Sequence, residues 1–315
     1  MKENLMKQVL TVKSLNISEK TGTKKTPVPE IELNECGLVG DSHAGSWHRQ
    51  VSLLGLESYE RFVEKAGRML DPGDFAENIT TEGVELKDVK ILDRFISNAI
   101  ELEVTQIGKK CHSGCEIIKE TGDCIMPREG IFCRVIRGGV LKPGHQFDYV
   151  PRSIKFRVIT LSDRAAAGEY EDLSGPEIEK LLAAGFETTH WRAVFERILI
   201  PDDAGQLKQQ IEQSKEQGID VLFTTGGTGI GPRDITPDVV GPMLDRELPG
   251  IMEFIRMKHG ERLPSALLSR SVAGTIGNML IYTLPGSVKA AREYTEEILR
   301  SLPHSLLMIH GINAH

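Results

Sequence analysis

The sequence predicts two domains of different class: a β-rich domain, read as a barrel, over residues 1–151, and a three-layer α/β domain with a mainly parallel sheet over residues 152–315. Three observations lead there. The 315 residues exceed the ~100–200 of one ordinary domain. The hydrophobic rhythm changes near Pro151, from short apolar runs separated by turn residues to strands alternating with helices. All five cysteines (Cys36, Cys111, Cys115, Cys124 and Cys133) lie before residue 134, so the two halves differ in chemistry as well as rhythm.

In the first half, strands are expected at Val9–Leu15, Val51–Leu56, Val89–Leu92, Ile100–Ile107 and Ile131–Ile136, with a helix at Leu56–Ala66. Gly40-Asp41, Gly73-Asp74 and Gly122-Asp123 read as turns, and Pro143-Gly144-His145 as the last turn before a closing strand. After the linker, Ile154–Leu161 is a strand. Ser174–Ala184 is a helix, with Ser174 as N-cap, Glu177 completing a capping box and Gly185 as the stop. Trp191–Ile200 is the next strand, followed by a helix from Ala204 to Gln217 and a short buried strand at Ile219–Thr224. Thr236-Pro237 reads as an N-cap followed by proline at the first helical position. Strands at Ser269–Ala273 and Met279–Leu284 precede a helix over Val288–Ser301. Strand–helix alternation of this kind favours a parallel sheet with helices on both faces.

Composition narrows the function. Forty-five acidic against 38 basic residues leave a net charge of −7, which gives no broad field for non-specific nucleic-acid binding. Forty per cent hydrophobic and 26% charged residues suit a soluble, packed chain. No apolar run approaches the ~20 residues that span a bilayer, and Met1–Lys13 lacks a signal-peptide pattern, so the expectation is a cytoplasmic protein without a membrane partner. An odd number of cysteines in that setting argues for free thiols or a metal site over a disulfide framework.

The strongest local signal is Thr224-Thr225-Gly226-Gly227-Thr228-Gly229-Ile230-Gly231-Pro232-Arg233-Asp234, which follows a buried strand and precedes a helix. Glycines there let backbone N–H groups close around an anion, and the hydroxyls of Thr225 and Thr228 are expected to add donors. The loop lacks the Gly-Lys-Ser/Thr of a Walker A sequence and the spacing of a dinucleotide fingerprint. Asp163, Asp202, Asp203, Asp234 and Asp238 follow three different strands and should gather along one edge of the sheet. Carboxylates beside a phosphate loop make chemical sense if Mg²⁺ bridges them to the phosphates. A single aspartate after a strand is otherwise a helix cap, which suits Asp203.

These stretches, with Leu161-Ser162-Asp163-Arg164, Ser174-Gly175-Pro176, Ile200-Pro201-Asp202-Asp203, Asp245-Arg246-Glu247-Leu248-Pro249-Gly250, Ser265–Arg270 and Leu284-Pro285-Gly286-Ser287, occur in an order that closely resembles the molybdopterin adenylyltransferases, the MogA/gephyrin G-domain family. The resemblance implies the MogA/MoaB-like fold and Mg²⁺-dependent transfer of AMP from ATP to the terminal phosphate of molybdopterin. It implies Asp202 and Asp234 as the catalytic, metal-handling pair, and Thr225, Gly226, Gly227, Thr228, Gly229 and Asp163 on the nucleotide and phosphate side. Ser269, Arg270, Gly286 and Ser287 fall on the pterin and substrate side, although Arg270 taken alone reads as a surface ion-pair residue. A homotrimer working with other molybdenum-cofactor biosynthesis proteins is also implied.

In the first domain, Gly40-Asp41-Ser42-His43-Ala44-Gly45, Phe75-Ala76-Glu77-Asn78-Ile79 and Thr105-Gln106…Cys111 resemble the MOSC domain, the module named for molybdenum cofactor sulfurases. That resemblance implies a MOSC-like barrel in which Cys111 carries sulfur or ligates the molybdenum of the cofactor. Lys109, Lys110 and His112 beside Cys111 would lower a thiol pKa. His43 is placed either at the same pocket or as a solvated turn residue, and Glu77 and Asn78 read as structural. Cys36 and Cys133 read as buried small hydrophobes. The spacing of Cys111, Cys115 and Cys124 matches no recognised zinc or iron–sulfur pattern. Two rivals stand beside the transferase reading: a non-catalytic cofactor carrier, and a MOSC-centred protein for sulfur transfer or reduction of N-hydroxylated compounds.

Overall fold

A computed structural model describes residues 8–67, 69–109 and 123–312. The chain separates into two compact units, Met1–Arg152 and Ser153–His315.

The first unit holds β1 (Val9–Ile17), β2 (Thr26–Val28), β3 (Ile31–Asn34), β4 (Gly37–Leu38), β5 (Val51–Gly55), α1 (Leu56–Ala66), β6 (Ile79–Glu82), β7 (Arg94–Ile96), β8 (Glu101–Ile107), α2 (Met126–Glu129), β9 (Ile131–Arg137), β10 (Gly139–Leu141) and β11 (Gln146–Val150). Seven strands run β1-β6-β5-β9-β8-β7-β11, and β11 pairs back onto β1, so the barrel is closed. Closure removes the unpaired edges that an open sheet would expose. β5–β6 is a parallel pairing within an otherwise antiparallel ring. Alternating residues fill the interior, among them Leu10, Val12, Leu53, Phe95, Leu102, Val104, Ile131 and Phe147. α1 packs Tyr59 and Phe62 edge-on against Phe75, each ring pair 5.1 Å apart.

One expected strand is absent at its predicted place. Val89 and Leu92 are buried, but Leu92 has φ +70° and the Asp93 carboxylate accepts from the Lys90 N–H. This apolar run is therefore a packed turn, and the strand begins at Arg94. The short strands β2, β3, β4 and β10 add to those expected from the sequence, and β6 follows directly on Glu77 and Asn78. Gly40, Gly73 and Gly144 all turn at positive φ, as the Gly-Asp and Pro-Gly signals suggested. Gly122 lies outside the described residues.

The second unit runs β12 (Ile154–Leu161), α3 (Asp163–Ala166), α4 (Ser174–Glu187), β13 (Ala193–Ile200), α5 (Ala204–Glu216), β14 (Val221–Thr225), α6 (Thr236–Val240), β15 (Arg246–Glu247), α7 (Pro249–Gly260), β16 (Ala273–Ile276), β17 (Met279–Leu284), α8 (Val288–Leu299) and α9 (Leu302–Ile309). The sheet order is β13-β12-β14-β17-β16-β15, with β13, β12, β14 and β17 mutually parallel and the last two strands antiparallel. Strand alternation makes three layers. Ile159, Leu161, Leu222 and Ile281 meet Leu207 and Ile211 of α5, while Phe156 turns the other way and packs edge-on against Phe186 of α4, 4.9 Å between ring centres. Among the described residues, no helix is long and apolar enough to cross a membrane.

Four local expectations need correction. Ser174 is not the N-cap of α4: the Asp172 carboxylate accepts from the N–H groups of Ser174 and Gly175 and from the Ser174 hydroxyl. Nor does Gly185 stop that helix, which continues to Glu187. A Cβ at Gly185 would come within 2.8 Å of Leu299, so the glycine allows α4 and α8 to approach closely. Thr236 is the first residue of α6 instead of its cap, and its hydroxyl donates to the Gly226 carbonyl at 2.8 Å. Finally, the strand expected from Ser269 begins at Ala273, because Arg270 is drawn onto the glycine loop by its N–H bond to the Thr228 carbonyl.

Candidate active site

The glycine loop leaves the C-terminal end of β14, where α/β sheets present their ligand crevices. Its shape depends on two glycines. Gly226 has φ +109° and a Cβ there would lie 2.3 Å from the Leu161 carbonyl oxygen; Gly227 has φ +64°. A side chain at Gly226 would thus be strained in backbone and in space. A second loop meets the first: a Cβ on Gly286 would sit 3.2 Å from the Gly226 Cα, so the two backbones nearly touch. Thr225 was expected to offer its hydroxyl to an anion. It is fully buried and donates instead to the Pro285 carbonyl, which ties the loops together.

Two cavities meet at this junction. One, about 640 Å³, is walled by Asp202, Asp234, Gly226 and Gly227 together with Asp172, Arg164 and Arg233. The other, about 420 Å³, is walled by Gly227, Thr228, Gly229 and Ser269 and by Leu263 and Leu268. Gly227, Asp234, Gly286 and Ser287 line both. A molecule with a charged middle and two distinct ends could therefore span the pair.

The aspartates hold one another in place. The Asp163 N–H donates to the Asp202 carboxylate at 3.2 Å, and the Asp202 N–H returns a bond to the Asp163 carboxylate at 2.9 Å. The other Asp163 oxygen accepts from Arg233 at 2.8 Å. Asp163 thus positions Asp202 and Arg233. The Asp234 carboxylate accepts from the Gly231 N–H at 2.8 Å, and a Cβ on Gly229 would lie 2.7 Å from it, so this side chain shapes its own loop. Asp203 is the N-cap of α5, accepting from the Gln206 N–H at 2.7 Å.

Arg270 braces the loop. Its guanidinium donates to the carbonyls of Gly229 and Asp234 and grips the Asp238 carboxylate with two nitrogens. Those hydrogen bonds from Arg270 hold the Asp238 carboxyl below the usual carboxylate range. Ser287 caps α8 by accepting from the Ala290 N–H, and the hydroxyls of Ser269 and Ser271 are 2.9 Å apart.

Sequence reasoning missed Asp172, which lines the larger cavity, caps α4 and accepts from Thr160 at 2.7 Å. An aspartate two residues before the first helical position was the available signal. Arg164, quoted in the Leu161–Arg164 stretch without a role, lines the same cavity with its guanidinium 5.1 Å from the ring centre of Tyr170, a residue that no motif marked.

In the first unit, Cys111, His112 and Cys115 fall outside the described residues. Cys133 is fully buried and its thiol is pushed up by burial. Cys124 is buried, whereas Cys36 is half-buried, not the interior hydrophobe expected. Lys25 and Asp41 form a buried ion pair beside His43, whose Nδ1 is 3.4 Å from the Lys25 amine. Burial alone would raise the Asp41 carboxyl, but hydrogen bonds from His43 and Lys25 outweigh it and hold the group well below the carboxylate range. Glu77 is entirely buried, with one oxygen accepting from Tyr59, Thr80 and the Gly73 N–H, each at 2.7 Å. Burial pushes its carboxyl up. Among the described residues, no group of three or more His, Cys, Asp or Glu side chains is arranged to hold a metal.

Residues 157–304 match the family described as a probable molybdopterin binding domain, and residues 40–148 match the MOSC domain. A molybdopterin adenylyltransferase of Helicobacter pylori J99 is 36% identical over 161 residues, which cover 51% of this chain and 90% of that protein. Gephyrin of Dictyostelium discoideum is 36% identical over 159 residues, covering 49% of this chain and 22% of gephyrin, so this chain spans under a quarter of that longer protein. The crystal structure of the molybdopterin biosynthesis enzyme MoaB from Thermus thermophilus is 38% identical with a TM-score of 0.46, covering 50% of this chain and 97% of that one.

Proposed function

Since the chain belongs, through residues 157–304, to the molybdopterin adenylyltransferase family, we propose that it transfers AMP from ATP to the terminal phosphate of molybdopterin and releases pyrophosphate. The observation that carries this reading is the convergence of Asp202 and Asp234 on one cavity with the backbone of the glycine loop. A carboxylate-lined pocket repels polyphosphate unless a cation intervenes, and two carboxylates plus phosphate oxygens and waters are a common Mg²⁺ setting. Asp202 and Asp234 would hold that ion, which supplies charge neutralisation at the phosphates.

The chain's own groups do the rest. Gly227, Thr228 and Gly229 cradle phosphate through backbone N–H donors that need no reorganisation when charge develops, while Gly226, whose N–H donates to the Leu284 carbonyl at 3.0 Å, holds the loop against β17. Asp163 fixes Asp202 and Arg233, and Arg270 fixes the loop from behind. The larger cavity takes the nucleotide, and the smaller one, with Ser269, Gly286 and Ser287, takes the pterin. Gly227 and Asp234, common to both, set the substrate phosphate against the α-phosphate; holding two reactants in that geometry is itself a large part of the rate.

The MOSC barrel receives the product in the same chain, with Cys111 as the thiol that meets the cofactor. We assign the whole protein to the molybdenum-cofactor assembly pathway, as a cytoplasmic homotrimer. Sedimentation of the purified chain checks the trimer. Pyrophosphate release from Mg·ATP, dependent on added molybdopterin, tests the transferase: no release from folded, ATP-binding protein would refute it. Cys111→Ser should abolish cofactor retention while leaving pyrophosphate release unchanged.

A further inference from the structure

We infer that Arg164 receives the pyrophosphate that departs during transfer, and that through it the site tells a nucleoside triphosphate from a monophosphate. This rests on the adenylyl transfer proposed above. Arg164 lies on α3, next in sequence to Asp163, whose backbone and side chain are both bonded to Asp202. Among the described residues it lines the larger cavity and not the smaller one. Its guanidinium makes no hydrogen bond or ion pair with any described residue and rests over the Tyr170 ring, 5.1 Å from the ring centre. The Tyr170 hydroxyl is in turn held 2.8 Å from that of Ser162, the cap of α3.

The charges around the larger cavity single this group out. Asp202 and Asp234 are assigned above to a cation, and Asp172 is engaged by Thr160 and the first turn of α4. Arg233 is held by the Asp163 carboxylate at 2.8 Å. Arg164 has no acid of its own, and a guanidinium laid face-on against a ring keeps its edge N–H groups for two phosphate oxygens. The direction of the reaction says which phosphates. The acceptor's phosphate oxygen bonds to the α-phosphorus, the bond from that phosphorus to the α,β-bridging oxygen breaks, and its electron pair leaves with pyrophosphate. Attack and departure lie roughly in line. With the acceptor in the smaller cavity and Gly227 and Asp234 at the junction, the departing group moves into the larger cavity, which Arg164 lines. A cation already in place where negative charge grows lowers the barrier. AMP carries no β- or γ-phosphate, so Arg164 adds nothing to its binding.

The test titrates the full chain with ATP, AMP and pyrophosphate, each with Mg²⁺ and without molybdopterin. Wild type, Arg164→Ala and Arg164→Lys are compared, with unfolding temperature and molybdopterin-dependent pyrophosphate release measured on the same preparations. Arg164→Ala should weaken ATP and pyrophosphate about tenfold or more, the worth of a hydrogen bond to a charged group, and leave AMP within about twofold. Pyrophosphate release at saturating substrates should fall about 100-fold or more. Arg164→Lys keeps the charge but not the two-pronged edge, so it should recover part of both losses. The side chain has no hydrogen bond or ion pair to forfeit, so both variants keep their unfolding temperature. An equal loss of ATP and AMP in Arg164→Ala overturns the inference, because the group would then hold the base or ribose. So does an unchanged ATP-to-AMP preference with release intact, or a lowered unfolding temperature that accounts for the loss; each leaves the transferase standing. Absence of both ATP binding and pyrophosphate release in wild type overturns the transferase reading and this one with it.

Discussion

Asp234→Asn separates the charge of Asp234 from its shape. In the folded protein its carboxylate accepts one hydrogen bond, from the Gly231 N–H at 2.8 Å. An asparagine oxygen accepts the same bond, so the loop keeps its course. What weakens is a charge-assisted bond at a largely solvated site, a loss of about 1 kcal/mol or less. Catalysis should suffer far more. Removing one preorganised group from the charge-developing centre of an enzyme costs roughly 100- to 1000-fold in rate, or about 3–4 kcal/mol. The expected result is pyrophosphate release at saturating Mg·ATP and molybdopterin reduced by about that factor, with unfolding nearly unchanged. Asp234→Ala, which also deletes the cap on Gly231, should match the lost activity and forfeit about 1 kcal/mol more stability. An Asn variant within tenfold of wild type would refute the argument, because Asp234 would then be a loop-shaping residue and nothing else.

Four further outcomes follow from the same geometry. Asp203→Ala removes the N-cap of α5 and should cost about 1 kcal/mol in chemical denaturation, while pyrophosphate release stays at the wild-type rate; lost activity would mean the wrong aspartate of the pair had been assigned. Gly226→Ala meets both the φ of +109° and the Leu161 carbonyl 2.3 Å away, so it should destabilise the second unit by roughly 2–4 kcal/mol, read by thermal unfolding. Arg270→Lys gives up the two-nitrogen grip on Asp238 and the bonds to the loop carbonyls; kcat should fall several-fold with KM for ATP little changed, and an equal fall in a variant at Asp238 would confirm that the brace acts as a unit. In the barrel, the buried Glu77 carboxyl has a raised pKa. A raised carboxyl pKa makes the folded state bind more protons, so its stabilising effect is present at low pH and is lost as pH rises from the ordinary carboxylate value of about 4.3. The stability of wild type relative to Glu77→Gln should therefore decline as the pH rises above about 4; a flat difference would show that Glu77 does not titrate with a raised pKa.

The elements that were legible share a cause. α1 lies where the sequence expects a helix, because an amphipathic run ends at Gly67 in the left-handed conformation. β17 was equally clear, as a mostly apolar strand buried on both faces, and β12 follows it in all but Lys155, with Arg157 and Thr160 among its buried residues. The misreadings also share one. Val89–Leu92 is apolar enough for a strand but spends its side chains on a turn, and hydrophobicity alone does not distinguish burial from pairing. Ser174 and Thr236 have the residue types of helix caps, yet their hydroxyls go to Asp172 and Gly226 because those groups arrive from elsewhere in the local fold.

The sequence by itself determined the two classes of domain, the glycine loop and the carboxylates at strand ends, because these follow from local periodicity and from residue types with narrow chemical uses. Tertiary structure decided how those residues divide the work. Thr225 and Arg270 have the chemistry of phosphate ligands, but packing turns the first onto Pro285 and the second onto the back of the loop. Asp163 braces Asp202 from another strand end, and Tyr294 and His259 come from separate helices onto one cavity, His259 with its Nδ1 3.4 Å from the Glu293 carboxylate. A side chain's chemistry is written in its residue type; whether its polar atoms face a ligand or a neighbour is set by contacts between segments far apart in the chain.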